Sequence, residues 1–357
     1  MADVHIVGAG PAGSIAAISA TRNGHSVIVS EDHAVSGLPK NCSGLFSVDG
    51  LESLKEFIDY KSAIMNRIYG AQIHFSKEAL TIRRKDPVAN VCDRAMLDSI
   101  LASNAENEGV KINYSERIAG NFHAENIIGA DGPLSHVARN FKFPPIKKFA
   151  ATLQADIEFN CEQKDIVEVF FSNEKFPGFF AWVIPHNEER AEFGVGVEVP
   201  ARALSAWKNL LKLKGIDDSV IKPTGATIPL ETRSKTGKMI NGKNVLLVGD
   251  AAGQVKSTTG GGVIFGGNCA ALAGKYACEP GTYEKEWRSR YGTDLAIHKI
   301  LHQYLASRSD ASLARLGRRL KKLNIDEYLS KNGDMDKPTK MIKPNLFAHV
   351  IKSIIGN

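Results

Sequence analysis

At 357 residues the chain is long for one simple core and suits two interlocked domains. A hydrophobic share of 43% and a charged share of 24% exclude general disorder, and 32 glycines that cluster instead of repeating exclude a collagen-like array. The net charge of +6 is uneven: Thr282 to Asn357 carries 15 Lys+Arg against 8 Asp+Glu, so the remainder sums to −1 and attraction to an anionic partner belongs to the C-terminal fifth.

In chain order, an apolar strand (Val4 to Val7), a glycine turn, a small-residue helix (Gly13 to Asn23) and a second strand (Ser26 to Ser30) form one βαβ unit. No secretory leader is expected, because the first strand begins at once. Alternating apolar residues from Arg67 to Arg83 and from Phe149 to Val199 read as an inserted antiparallel sheet, with turns at Phe176-Pro177-Gly178 and Pro185-His186-Asn187. Between them a helix is predicted from Asp93 to Asn107. A strand pair follows, Val110 to Arg117 and Asn121 to Ile128, with Gly120 near its turn. Asn244 to Val248 is a buried strand that opens a glycine turn and an Ala-rich helix to Ala277. The tail from Thr282 is helical, broken at Pro338 and Pro344. The fold class expected is α/β: a Rossmann-type nucleotide domain (residues 1–62, 87–148 and 225–281), an antiparallel-sheet substrate domain (63–86 and 149–224) and a C-terminal helical region (282–357). The longest uncharged stretch, Ser257 to Gly274, holds six glycines and does not read as a membrane span, so a cytoplasmic protein is expected.

Gly8-x-Gly10-x-x-Gly13 follows a strand and opens a helix, and Glu31 ends the next strand. The glycines permit a tight turn and close approach of a pyrophosphate to the helix N-terminus. A carboxylate at 31 accepts from both ribose hydroxyls and repels a 2′-phosphate, so the expected ligand is an adenosine diphosphate with free hydroxyls. Pro11 and Ala12 give this loop a flavoprotein accent. Ile127 to Gly132 (IIGADG) and Leu247 to Gly253 (LVGDAAG) are strand-turns of the same kind, and the Asp250 carboxylate suits a ribityl hydroxyl. Thr259 to Val263 (TGGGV) starts a helix whose free amides suit the negative charge of a reduced flavin ring.

These motifs, with Asp93-Arg94 and Asp98 on the following helix, occur in one order over nearly the whole chain. The order resembles the FAD-dependent aromatic hydroxylases and prenyl reductases. Lys40-Asn41-Cys42-Ser43-Gly44 is similar to the cysteine loop of archaeal geranylgeranyl reductases. Phe180-Ala-Trp182-Val-Ile184-Pro185, followed by Gly194, resembles their YxWxFP…G signature, with Phe180 for Tyr and Ile184 for Phe, and is about as close to the WxWxIP of flavin-dependent halogenases. GDAAGQVKSTTGGG resembles the reductases' flavin loop, with Ser257 where proline is usual. The resemblance implies an FAD enzyme that saturates carbon–carbon double bonds of prenyl chains in membrane lipids or their precursors, by hydride transfer from reduced flavin. It implies that Gly8, Gly10, Gly13, Ser14, Glu31, Cys42, Ser43, Gly44, Arg94, Ile118, Asp250, Gly262 and Val263 hold FAD. Phe180, Trp182 and Pro185 would meet the isoprenoid. A thiol is mostly protonated at neutral pH, which suits Cys42 as proton donor. With one dinucleotide fingerprint, electrons come from a reduced carrier such as ferredoxin or from docked NAD(P)H. The alternatives are an FAD monooxygenase or halogenase and a membrane-associated electron-transfer flavoprotein.

Six aromatics between Phe170 and Trp182 serve both a core and an apolar wall, and about half are expected to line a pocket. Ala311 to Leu323 carries a leucine stripe (313, 316, 320, 323) ringed by Arg and Lys. It reads first as a helix packed on its own protein and second as a peripheral contact with anionic membrane. Pro344 to Ile355 is a second amphipathic segment. No base-stacking or groove-entering motif accompanies the charge, so no nucleic acid is expected. Five cysteines without a CxxC pair, and ten histidines without HExxH, support neither disulfides nor a metal site.

Overall fold

The computed structural model describes residues 2–217 and 221–341. The expected α/β architecture is observed, with three sheets. The first is six-stranded, in the order Gly237–Ile240, Lys243–Leu247, Asn126–Gly129, Val4–Val7, Val27–Ser30, Lys111–Asn113. It is parallel except at the hairpin joining its first two strands. Val4–Val7 is buried on both faces, as a central parallel strand must be. The helix Pro11–Arg22, with proline at its N-terminus, packs against Val263–Lys275. A Cβ at Gly274 would lie 2.4 Å from the Ala16 carbonyl oxygen, so glycine sets how closely those helices approach.

Val110 to Arg117 and Asn121 to Ile128 do not form the expected pair. Only Lys111–Asn113 and Asn126–Gly129 are strands, and Val4–Val7 and Val27–Ser30 lie between them. Each takes a parallel slot, one beside Val27–Ser30 and the other beside Val4–Val7.

The second sheet has seven strands: Thr224–Pro229, Phe149–Glu158, Arg190–Glu198, Ala181–Pro185, Ile166–Phe171, Gly70–Phe75 and Glu78–Arg83. One pair departs from the antiparallel expectation, Ile166–Phe171 with Gly70–Phe75, because the chain passes into this sheet on two separate occasions and these strands run in the same sense. Residues 225–229, expected with the nucleotide domain, pair instead with Phe149–Leu153. On one face Phe193, Val195 and Val197 bury Trp207, Leu210 and Leu211 of the helix Ala203–Lys214. The other face looks toward the first sheet. A three-stranded sheet (Leu45–Ser47, Ala89–Cys92, Ile64–Ile68) lies in the segments that link the two larger sheets.

The tail is helical from Pro280. Asp310–Lys322 packs on the strands Gly70–Phe75 and Glu78–Arg83: Leu313 is 1% exposed, and a Cβ at Gly317 would lie 2.9 Å from that of Glu78. The leucine stripe is therefore turned toward the protein's own sheet, with Leu323 left exposed at its end. Pro338 begins a short helix, Pro338–Met341, instead of breaking one, since proline is well suited to a first helical turn. Pro344 to Ile355 lies outside the described residues. Among those described, no helix is long and apolar enough to cross a membrane.

Candidate active site

One cavity of about 1140 Å³ runs between the two large sheets. That exceeds the roughly 300–1,000 Å³ of ordinary ligand sites. One arm is polar and glycine-lined, with Gly8, Gly10, Glu31, Arg94, Asp131, Asp250 and Gly262 on its walls. The other is apolar, with Ile68, Ala71, Ile73, Val167, Val169, Phe171, Phe180 and Trp182.

In the polar arm the glycines have separate jobs. Gly8 has φ +100, and a Cβ there would lie 2.5 Å from the Ala130 oxygen. At Gly13 it would lie 1.8 Å from the Gly8 oxygen, while at Gly10 it would meet nothing within 4 Å and would project into free space. That is the arrangement of a cradle: two glycines tighten the turn and the third leaves its backbone bare to a ligand. Ser14 Oγ donates to the Ala9 oxygen. The Glu31 carboxylate accepts from Ala9 N at 2.7 Å and from His33 N at 3.0 Å, which pins it beside the loop.

Arg94 pairs with Asp98 through two hydrogen bonds of 2.9 and 2.7 Å. Burial works against its charge, but Asp98 and the adjacent Cys42 together hold the guanidinium above its ordinary range. Asp250 faces the cavity; desolvation raises its carboxyl to about 6, with Arg94 a partial offset. Its loop is held from behind, where Gly249 N donates to Gln254, Gln254 to Tyr283, and the Tyr283 hydroxyl to the Leu247 oxygen. Asp131 is raised by burial, opposed by donors from Ser135 and Val137.

The apolar arm is an aromatic wall on the second sheet. Phe179, Phe180 and Trp182 are linked at centroid distances of 4.4 and 5.5 Å. Trp182 lies across Gly194, where a Cβ would stand 2.1 Å from the indole, and Phe179 lies across Gly196 at 2.3 Å. Trp182 Nε1 donates to Glu192 at 3.0 Å. Glu192 is 1% exposed, and burial pushes its carboxyl up to about 7 despite the indole donor and Lys40. Asp156 and His186 stand beside it, with one ligand-type atom from each of the three within 4.8 Å. The His186 Nε2 is buried without a hydrogen-bond partner, and Lys40 reaches Asp156 at 3.4 Å.

Of the residues singled out in the sequence, Gly8, Gly10, Glu31, Cys42, Ser43, Arg94, Ile118, Asp250, Gly262, Val263, Phe180 and Trp182 line this cavity. Gly13, Ser14, Gly44 and Pro185 lie behind it. Gly44 (φ +70) backs onto the Cys92 oxygen, where a Cβ would stand at 2.0 Å. Pro185 ends its strand, and its carbonyl accepts from Asn66. Of the six clustered aromatics, Phe171, Phe179, Phe180 and Trp182 reach the cavity, whereas Phe170 and Phe176 pack in the core behind the sheet. Sequence reasoning missed Lys256 and the segment Gly333 to Met335, which also wall the cavity. Lys256 lies inside the quoted flavin-loop run, so a charge among those glycines was the available signal.

A Gly-x-Gly cradle, a pinned strand-end carboxylate and a second strand-turn with a buried aspartate around one cavity define a dinucleotide-binding oxidoreductase. The family model "FAD dependent oxidoreductase" matches residues 3–131. Digeranylgeranylglycerophospholipid reductase 1 of Methanopyrus kandleri is 30% identical, over 78% of this chain and 80% of its own. The Methanosarcina mazei digeranylgeranylglycerophospholipid reductase is 27% identical, over 91% and 89%. A geranylgeranyl bacteriochlorophyll reductase-like crystal structure from Thermoplasma acidophilum superposes with a TM-score of 0.80 at 20% identity, over 99% of both chains. The chain belongs to the geranylgeranyl reductase family of FAD-dependent oxidoreductases.

Proposed function

We propose that this protein reduces carbon–carbon double bonds in the geranylgeranyl chains of membrane lipids or their precursors, as the names of its relatives suggest. The observation that carries the reading is the continuity of the cavity, whose glycine-lined arm opens into an arm walled by aromatic and aliphatic side chains. An apolar wall is what a long isoprenoid needs, since each buried CH₂ contributes roughly 0.8 kcal/mol.

The residues present fit FAD: the bare backbone at Gly10 suits the pyrophosphate, Glu31 the adenosine ribose, Asp250 the ribityl chain, and Gly262 and Val263 the ring's pyrimidine edge. Gly13, Ser14 and Gly44 act from behind, fixing the loops that Gly8, Ser43, Arg94 and Ile118 complete. FAD held there and reduced would be the source of a hydride for one alkene carbon. Cys42 lies beside Arg94 on the cavity wall and is the proposed source of the proton for the other carbon. Trp182 and Phe180 hold the chain flat, and the aromatic wall keeps water from the reacting atoms. Two electrons per reduced bond would be supplied by ferredoxin or NAD(P)H. We place the FAD-binding unit on residues 1–62, 87–148 and 230–281, and the protein in the cytoplasm.

The test is anaerobic incubation of the FAD-loaded protein with dithionite and a geranylgeranylated phospholipid, followed by mass spectrometry of the lipid. A gain of two mass units per reduced bond is expected. An unchanged lipid, with flavin reduced and lipid bound, overturns the reading in favour of oxygen chemistry or quinone reduction. Cys42→Ser with full FAD and full turnover removes the proton assignment. Asp250→Ala with normal flavin content removes the ribityl contact.

A further inference from the structure

Lys256 sits in the flavin loop, and its side chain is 7% exposed. Its backbone closes that loop, donating to the Gly261 oxygen and accepting from Thr259 N and Gly260 N. The side chain then folds under the glycines: a Cβ at Gly261 would lie 2.9 Å from Lys256 Cε and 3.3 Å from Nζ. Nζ meets Asp336 at 2.5 Å and the Met335 oxygen at 3.4 Å. Asp336 also accepts from the Ser47 hydroxyl. Its carbonyl meets His298 Nε2, and Thr339 further along is tied to Asp294. Asp336 therefore belongs to a fastened segment whose neighbours, Asp334 and Met335, wall the same cavity.

A buried ion pair contributes little net stability, because desolvating both charges offsets their attraction. This pair does place a fixed cation against Gly261 in the glycine loop that ends at Gly262, with Nζ 3.3 Å from where a Cβ at Gly261 would stand. In a site closed to water, such a charge acts strongly on any negative charge that develops beside it. We propose that Lys256 is the positive charge that stabilises the anionic reduced flavin, and that Asp336, carried on the C-terminal segment, holds it in place and offsets part of its field. The proposal rests on FAD lying with its pyrimidine edge at Gly262 and Val263. Within that reading it assigns the control of the flavin's reduction equilibrium to a lysine and to a counter-ion 80 residues further along the chain.

The test compares FAD-loaded wild type, Lys256→Met, Asp336→Asn and the double variant in anaerobic titrations against a reference dye. Lys256→Met is expected to hold at least tenfold less reduced flavin at a fixed dye ratio, about 30 mV for a two-electron couple. Asp336→Asn moves the equilibrium the opposite way, because the lysine then acts unopposed. The double variant falls between the two single variants. All four within twofold of one another at normal flavin content would overturn the proposal. If Lys256→Met purifies without FAD, the direction of the Asp336→Asn shift decides, and a shift toward less reduced flavin refutes it. The two readings fail separately. Asp250→Ala that loses FAD while the lysine variants stay level refutes only this proposal, whereas Asp250→Ala with normal FAD refutes the placement beneath it.

Discussion

Glu192 offers a test of the aromatic wall that needs no substrate. Its carboxyl is enclosed between strands, opposite Asp156 on one side and Ile184 on the other, with Trp182 Nε1 as its donor. Burial raises it from 4.5 to about 7. Over that interval the native carboxyl keeps a proton that the unfolded one has released, so folding stability falls as pH rises and levels off above about 7. At about 1.4 kcal/mol per pH unit, the full cost is about 3 kcal/mol, of which about 2.5 kcal/mol accrues between pH 5 and pH 8. Glu192→Gln keeps a carbonyl oxygen for the indole and never titrates. Its stability relative to wild type should therefore rise by about 2.5 kcal/mol from pH 5 to pH 8, on top of a constant offset of about 1–3 kcal/mol for the altered amide. Urea unfolding of both proteins at the two pH values measures this difference, and contributions shared by His186, Asp156 and Lys40 largely cancel. A difference constant to within about 0.5 kcal/mol would refute the buried, protonated carboxyl.

Two glycine substitutions separate cofactor binding from substrate holding. Gly13→Ala forces a methyl group against the Gly8 oxygen, so it should lose bound FAD and cost at least the roughly 1–3 kcal/mol of ordinary overpacking; flavin absorbance and the unfolding midpoint read both. Gly194→Ala pushes the Trp182 indole off its seat and should cut prenyl reduction at least about tenfold while leaving flavin content unchanged, as differential loss of a positioning contact requires. Loss of flavin in Gly194→Ala would show that the wall and the cradle are not separable in this way.

The nucleotide half was legible because its signals are local. A four-residue buried strand, a glycine spacing and a strand-end acid all lie within Val4 to Glu31, and the fold uses them where they stand. Partner choice was not legible. Lys111–Asn113 and Asn126–Gly129 carry nothing that says which neighbour they join, and two strands laid down earlier in the chain already held the positions between them. Alternation along Gly70–Phe75 marks a half-buried strand but not its direction, hence the unforeseen parallel pair. The stripe on Asp310–Lys322 announced an apolar face without naming its cover, which is the protein's own sheet at Phe75 and Glu78. Lys256 and Asp336 stand 80 residues apart, and nothing local pairs them until the fold buries them together.

That burial bears on how a long chain reaches the ring. The apolar arm is bounded on one side by Phe179, Phe180 and Trp182 and on another by Met335, which packs against that cluster. Lifting the segment that carries Met335 would break the contacts of Asp336 with Lys256 and with Ser47, and that of Thr339 with Asp294. It would also leave Lys256 a buried, unpaired charge, a loss of about 3–5 kcal/mol for one partner removed. Displacing the Met335 side chain is far cheaper, because an unbranched thioether changes rotamer without moving its backbone. Entry by threading between the Met335 side chain and the aromatic wall is therefore favoured over opening of the segment. Threading also keeps the lysine's counter-ion fixed, so the charge beneath the flavin loop does not change when a substrate arrives.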